Sequence, residues 1–184
     1  MNKTFAAIMA PVSVGMVAVA GLIVWQYGHI HAQTRVTVDM QTVNPKLVAQ
    51  IENETVYTAN GMVVPFPTDR PVLFTAWWCP HCHDALQQLK TDGLHTTFNL
   101  VSVFVNDGAT SGTVQTWKQA LTLTEDGLHN SDLSIPSSHI YLVMPNSPIN
   151  TQIHGVPTLW TFRKSGVMEV VGTPTVGSVW KSVL

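Results

Sequence analysis

The chain has only two cysteines in 184 residues, and they stand as Cys79-Pro80-His81-Cys82 between an apolar run and a helix-forming stretch. Pro71-Val72-Leu73-Phe74 reads as a buried strand, and Asp84-Ala85-Leu86-Gln87-Gln88-Leu89-Lys90 reads as a helix. This spacing places Cys79 at a helix N-terminus and Pro80 in the first turn, where a missing N–H costs nothing. Unpaired backbone N–H groups and the positive end of the helix dipole favour an anion at Cys79. A thiolate is the species that attacks disulfides. Cys82 lies one turn deeper and is placed to attack a mixed disulfide formed at Cys79. His81, between them, adds positive charge when protonated. With no third cysteine, structural disulfides are absent and the core alone must hold the fold.

The N-terminus bears on compartment. Phe5 to Tyr27 is an uncharged run of 23 residues, long enough to cross a bilayer as a helix. Lys3 precedes it, which places the N-terminus in the cytoplasm and the rest outside. A cleavable signal peptide is the rival. Cleavage after Ala18-Val19-Ala20 would leave Gly21-Leu22-Ile23-Val24-Trp25 exposed, and Ile30-His31-Ala32 is a poorer site. The expected organisation is therefore a membrane anchor at 1–27, a linker and short helix at 28–53, and one folded domain at 54–184. The domain is large enough for a core of its own. Charged residues make up only 11% of the chain, with a net charge of −2 and no basic block, which argues against a nucleic-acid partner.

Local signals order the rest. Gly28 to Met40 reads as linker. Asn44 caps a helix with Pro45 at its first position, running to about Glu52. Thr55–Thr58 and Met62–Val64 flank Asn60-Gly61, a hairpin signal. The helix after the cysteines ends at Asp92-Gly93. Phe98 to Val105 reads as a second buried strand, followed by a turn at Asn106-Asp107-Gly108. A helix is expected from Thr113 to Leu123, with Val114, Trp117 and Leu121 on one face, then an irregular stretch from Glu125 to Ser138. Ile140–Met144 reads as a strand, and Asn146 to Ile153 as a turn or short helix. A hairpin follows, with strands at 158–163 and 167–171. Thr173 and Pro174 open a last helix that runs to Leu184.

Trp-Cys-Pro-His-Cys, at 78–82, resembles the active site of the disulfide-forming DsbA group of the thioredoxin superfamily. Gly155-Val156-Pro157-Thr158, roughly 75 residues later, looks like that superfamily's cis-proline loop. The resemblance spans about Thr55 to Leu184. It implies an α/β thioredoxin-like fold, a mixed central sheet flanked by helices, here preceded by the expected transmembrane helix. It also implies that Pro157 is cis and that Val156 faces the sulfurs, its backbone pairing with an extended client segment. The leading hairpin and the strand before Val156 resemble the membrane-tethered TlpA/ResA branch. Two positions depart from the reducing members. Ala85 stands where ResA-like proteins carry a Glu, and Leu73 where thioredoxin carries a buried Asp.

Among the remaining residues, Trp78 is expected at the rim of the dithiol and Trp77 in the core. His83 is expected to face solvent. His95, His129, His139 and His154 are read as surface, with His154 the one near enough in sequence to Pro157 to reach the site. A zinc site would need two more ligands, and His81 and His83 are too close together to complete a tetrahedron from one turn. No metal and no cofactor are expected. The reading is an extracytoplasmic, membrane-anchored thiol–disulfide oxidoreductase. Its nucleophile is Cys79, its resolving residue Cys82, its thiolate-tuning residues Pro80 and His81, and its client-binding residues Trp78, Val156 and Pro157. Its partners are client proteins with thiols or disulfides and a membrane protein that recycles the dithiol. The Pro-His dipeptide points to disulfide formation or isomerisation. The alternatives are a thiol reductase of the cytochrome-maturation type and a Cu(I)-handling module.

Overall fold

Asn44 opens the first helix as expected. Its side-chain oxygen accepts from the Lys46 N–H at 2.9 Å, Pro45 takes the first helical position, and α1 runs Pro45–Glu52. The computed structural model describes residues 40–104, 114–172, 180 and 182–184. The expected anchor at 5–27, the turn at 106–108 and the cap at Thr173-Pro174 lie outside the described residues. Among the described residues no helix is long and apolar enough to cross a membrane. Thr37–Leu184 make up one compact unit of the chain.

Before α1, Met40–Thr42 forms a short edge strand, β1, antiparallel to a strand near the C-terminus. Sequence reading left this segment in the linker. Met-Gln-Thr has no apolar alternation, and a three-residue edge strand is held by its backbone ladder alone. Thr55–Thr58 (β2) and Val63–Pro65 (β3) then form the hairpin signalled by Asn60-Gly61. Gly61 has φ +84°, and a Cβ there would stand 2.4 Å from the Trp117 indole. Gly61→Ala should therefore destabilise the fold by roughly 1–3 kcal/mol through backbone strain and collision. A lowered denaturation midpoint is expected. An unchanged one would mean that the loop and the indole yield freely.

The centre of the sheet is Val72–Thr75 (β4), buried at every position. Helix α2, Pro80–Thr91, crosses over to Asn99–Ser102 (β5), which pairs parallel to β4 from Val72↔Asn99 to Thr75↔Ser102. Helix α3, Trp117–Asn130, leads to Ile140–Leu142 (β6), again parallel to β5. The short helix α4, Ile149–Gln152, precedes Thr158–Arg163 (β7) and Gly166–Val171 (β8), an antiparallel hairpin whose first strand pairs antiparallel to β4. The eight strands lie in the order β1-β8-β7-β4-β5-β6-β2-β3. Within it, β8-β7-β4-β5 is the thioredoxin-like core: two parallel strands joined through a helix, then an antiparallel hairpin on the far side. The mixed α/β sheet expected from the two motifs is present.

Side chains alternate across this sheet and fill two cores. Leu73, Leu100, Leu142 and Leu159 pack with Ala85, Leu86 and Leu89 of α2, with Ala120 and Leu128 of α3, and with Trp180. Val72, Phe74, Val101 and Trp160 pack on the other face with Ile51 of α1 and Ile149 of α4. Trp180, Ser182 and Val183 are helical, and Thr161 Oγ1 donates to the Val183 carbonyl at 3.0 Å. Leu184, the expected last residue of this helix, is not helical, and residues 173–179 and 181 lie outside the described residues.

Helix α3 differs from its sequence reading. It begins at Trp117, not Thr113, because Thr116 and Gln119 form a capping box. It then continues through Asn130, taking in the first part of the stretch read as irregular, while 131–136 carry no helix or strand, as expected. Its buried residues are Ala120, Thr124, Gly127 and Leu128; of the expected stripe, Val114 is buried in the same core but precedes the helix, Leu121 is partly buried against it, and Trp117 is only half-buried. Gly127 admits a close approach: a Cβ there would lie 3.2 Å from the Trp77 Cα. Strands β5 and β6 also end at Ser102 and Leu142, short of their expected limits at Val105 and Met144.

Candidate active site

Strand β4 ends at Thr75, and the chain turns once before α2. The Cys79 N–H donates to the Ala76 carbonyl at 3.1 Å, closing a turn over Ala76-Trp77-Trp78-Cys79. Cys79 is the N-cap of α2, with extended backbone (φ −86°, ψ 113°), and its side chain makes no cap hydrogen bond. Its carbonyl accepts from the N–H groups of Cys82, at 3.0 Å, and His83, at 3.3 Å. Pro80 takes the first helical position, as expected. The Cys79 side chain thus stands at the N-terminus of α2, where the positive end of the helix dipole favours an anion.

It faces the loop before β7. The Val156–Pro157 peptide bond is cis, and Cys79 Sγ donates to the Val156 carbonyl at 3.6 Å. Ala76, Cys79 and Cys82 form a small buried cluster against which Val156 packs. Two motifs 77 residues apart in sequence therefore meet at the sulfur. Cys79 is 4% exposed and Cys82 0%, so an incoming group meets Cys79 first. Both cysteines are free thiols here.

Burial pushes the Cys82 thiol well above its ordinary value of 9.0; a backbone hydrogen bond from Ala76 opposes the shift, and the neighbouring Cys79 adds to it. Cys82 therefore stays protonated at neutral pH. Leu73 and Ala85 are both 0% exposed, and neither carries an acid beside the dithiol. The sign of the resulting pH dependence follows from linkage. The folded state holds the Cys82 proton more tightly than the unfolded chain does. Its contribution to stability is full below the unfolded-chain thiol value and is lost as pH rises toward the folded one. Between about pH 8 and pH 10, reduced wild type should lose more stability than Cys82→Ala. Parallel losses in pH-resolved denaturation would contradict this account of the thiol.

Trp78 lies exposed beside the dithiol, at the expected rim. His81 is exposed, with Nδ1 4.0 Å from Asp84 Oδ2 one turn along the helix. Four other expectations need correction. Trp77 is half-buried rather than core, with its indole nitrogen enclosed and its backbone close against Gly127. His83 does not face solvent: its Nε2 lies 2.9 Å from the Trp77 carbonyl and the residue is half-buried. As the fourth residue after the N-cap, His83 sits one turn above Cys79 on the same side of the helix, which was the signal available in the sequence. His95 and His139 are half-buried, each with a ring nitrogen enclosed in the fold. His129 and His154 are exposed as expected, and the charge of His154 acts on Glu169 of β8. Among the described residues no group of three His, Cys, Asp or Glu side chains converges as metal ligands would.

A mixed sheet of this strand order, a dithiol at the start of the helix after its central strand, and a cis-proline loop against the first sulfur define a protein of the thioredoxin-like class. No protein-family model and no curated protein matches the sequence. Among solved structures, MTB DsbF is similar to 73% of this chain and 95% of its own, at 15% identity and a TM-score of 0.49. A secreted disulfide oxidoreductase of Mycobacterium tuberculosis, homologous to E. coli DsbE, is similar over 72% of this chain and 95% of its own, at 13% identity and a TM-score of 0.47. A thioredoxin-like protein from Aeropyrum pernix is similar over 75% and 91%, at 14% identity and a TM-score of 0.46. The class rests on the strand order and the site geometry rather than on these likenesses.

Proposed function

We propose that this protein is an extracytoplasmic thiol–disulfide oxidoreductase that exchanges the Cys79–Cys82 dithiol/disulfide with client proteins, and that it works toward disulfide formation or isomerisation. The observation that carries the reading is the meeting of Cys79 Sγ with the Val156 carbonyl of the cis-proline loop, with Cys82 buried one turn below. In the oxidised protein a client thiolate attacks Cys79 Sγ, and the Cys79–Cys82 bond breaks. Cys82 leaves and takes up a proton, which its buried setting favours. A second client thiolate then attacks the client sulfur of the mixed disulfide, and Cys79 leaves as the thiolate. The client gains a disulfide, and the protein is left as the dithiol. A membrane redox partner would reoxidise it.

Pro80 and His81 tune the thiolate in this reading, and Trp78, Val156 and Pro157 receive the client chain. The apolar Leu73 and Ala85 favour the oxidising direction over the reducing one, since neither offers a carboxylate to take the Cys82 proton. Residues 5–27 hold the domain at the outer face of a membrane. Fractionation of cells expressing the whole chain tests the last point, with recovery of the protein in the soluble fraction as the contrary result.

The functional test is stoichiometric. Oxidised protein is mixed with a reduced, unfolded protein whose native state contains disulfides. Client thiols should disappear as Cys79 and Cys82 thiols appear, two for two. No thiol transfer would overturn the reading. Efficient reduction of a client disulfide by the reduced form, without the reverse, would favour the reductase alternative.

A further inference from the structure

We infer that His83 is a positioning residue: by donating from Nε2 to the Trp77 carbonyl it sets the placement of Trp78, and through it the affinity of the site for client chains. The inference rests on the exchange function proposed above and adds a residue to it. The bond is 2.9 Å long and joins the first turn of α2 back to the loop that precedes it. The carbonyl it holds belongs to the Trp77–Trp78 peptide. That unit is planar, so fixing its oxygen fixes ψ of Trp77 together with φ of Trp78. The Ala76 carbonyl and Cys79 N–H close the same turn at 3.1 Å.

The other side of Trp77 is held too. Gly127 of α3 lies so close that a Cβ would come within 3.2 Å of the Trp77 Cα and 3.4 Å of its carbonyl oxygen. The Trp77 backbone is therefore gripped between α2 and α3, through a hydrogen bond on one side and van der Waals contact on the other. The His83 ring is turned inward, where it lines a cavity of about 10 Å³ with Ser102, Thr124 and Gly127. What this grip leaves outside is Trp78, among the described residues one of the few exposed large apolar side chains and the one next to Cys79. An aromatic side chain on a fixed backbone offers contact area at low entropic cost, whereas the same ring on a loose turn must be ordered at each encounter. His83 thus acts on binding without touching the sulfur or the client.

The test uses the full chain with a disulfide-forming peptide dithiol as the client. His83→Leu removes the donor and keeps an apolar side chain of similar bulk. KM should rise roughly three- to tenfold, the range expected for one net hydrogen bond, with kcat within about twofold of wild type. His83→Gln, whose amide can reach where Nε2 lies, should restore KM. His83→Asn is too short to reach and should behave as His83→Leu does; it serves if the leucine variant fails to fold. A second readout does not depend on activity. With the tryptophans fluorinated, the Trp78 resonance, assigned by its loss in Trp78→Phe, should shift in His83→Leu and return in His83→Gln. An unmoved resonance with unchanged KM overturns the inference. So does a loss that His83→Gln fails to restore, since ring packing would then carry the effect. If wild type exchanges no disulfides, the proposed function falls, and the fluorine resonance alone decides the fate of the grip on Trp77.

Discussion

Cys79→Ser should lose disulfide exchange down to the uncatalysed background. The sulfur of Cys79 is the atom that forms and releases the mixed disulfide, and a serine hydroxyl can do neither. Cys82 cannot stand in for it: the residue is 0% exposed, and burial holds its thiol protonated. The variant should fold, because Cys79 contributes no side-chain cap to α2 and a hydroxyl is smaller than the thiol it replaces. Stability near that of wild type with no thiol transfer is the expected pair of results. Residual exchange well above background would move the chemistry to Cys82 and break the account of the site.

Cys82→Ser should do the opposite and accumulate covalent adducts. Cys79 is still presented to clients, and the mixed disulfide still forms when the reduced variant meets a client disulfide. The group that would resolve it, one turn below and facing Cys79 within the same buried cluster, is now a hydroxyl. Adducts should appear on non-reducing gels of the variant mixed with a disulfide-bonded client and vanish on addition of reductant. Their identity by mass spectrometry should place the link at Cys79. Free turnover without adducts would mean that resolution does not use Cys82, and that clients resolve themselves.

The site was legible in the sequence to the extent that it is local. Pro80 at the first helical position and the apolar run before Cys79 place the two cysteines at a helix start, the thioredoxin-like resemblance of Gly155-Val156-Pro157-Thr158 supplies the expectation of a cis-proline loop, and the structure brings Cys79 against that loop. Asn44-Pro45 and Asn60-Gly61 likewise marked a helix start and a hairpin through their own backbone chemistry. What was missed depends on contacts made elsewhere in the chain. The stretch from Glu125 reads as irregular, yet α3 runs on through Asn130, with Gly127 packed close against the Trp77 backbone. Met40–Thr42 carries no apolar pattern and becomes a strand only because β8 presents an edge to pair with. His83, lying past Cys82 in the sequence, reads as solvent-facing. Its ring turns back to the Trp77 carbonyl, a partner visible only once the turn before α2 is known.

The central claim is that the Cys79–Cys82 pair is an exchange dithiol poised to oxidise clients. Its reduction potential, measured by equilibration of the purified protein against glutathione, tests this most directly. The account predicts a value toward that of the strongly oxidising DsbA, near roughly −120 mV. A value near roughly −270 mV, as in thioredoxin, would make the protein a reductase and contradict the direction assigned here.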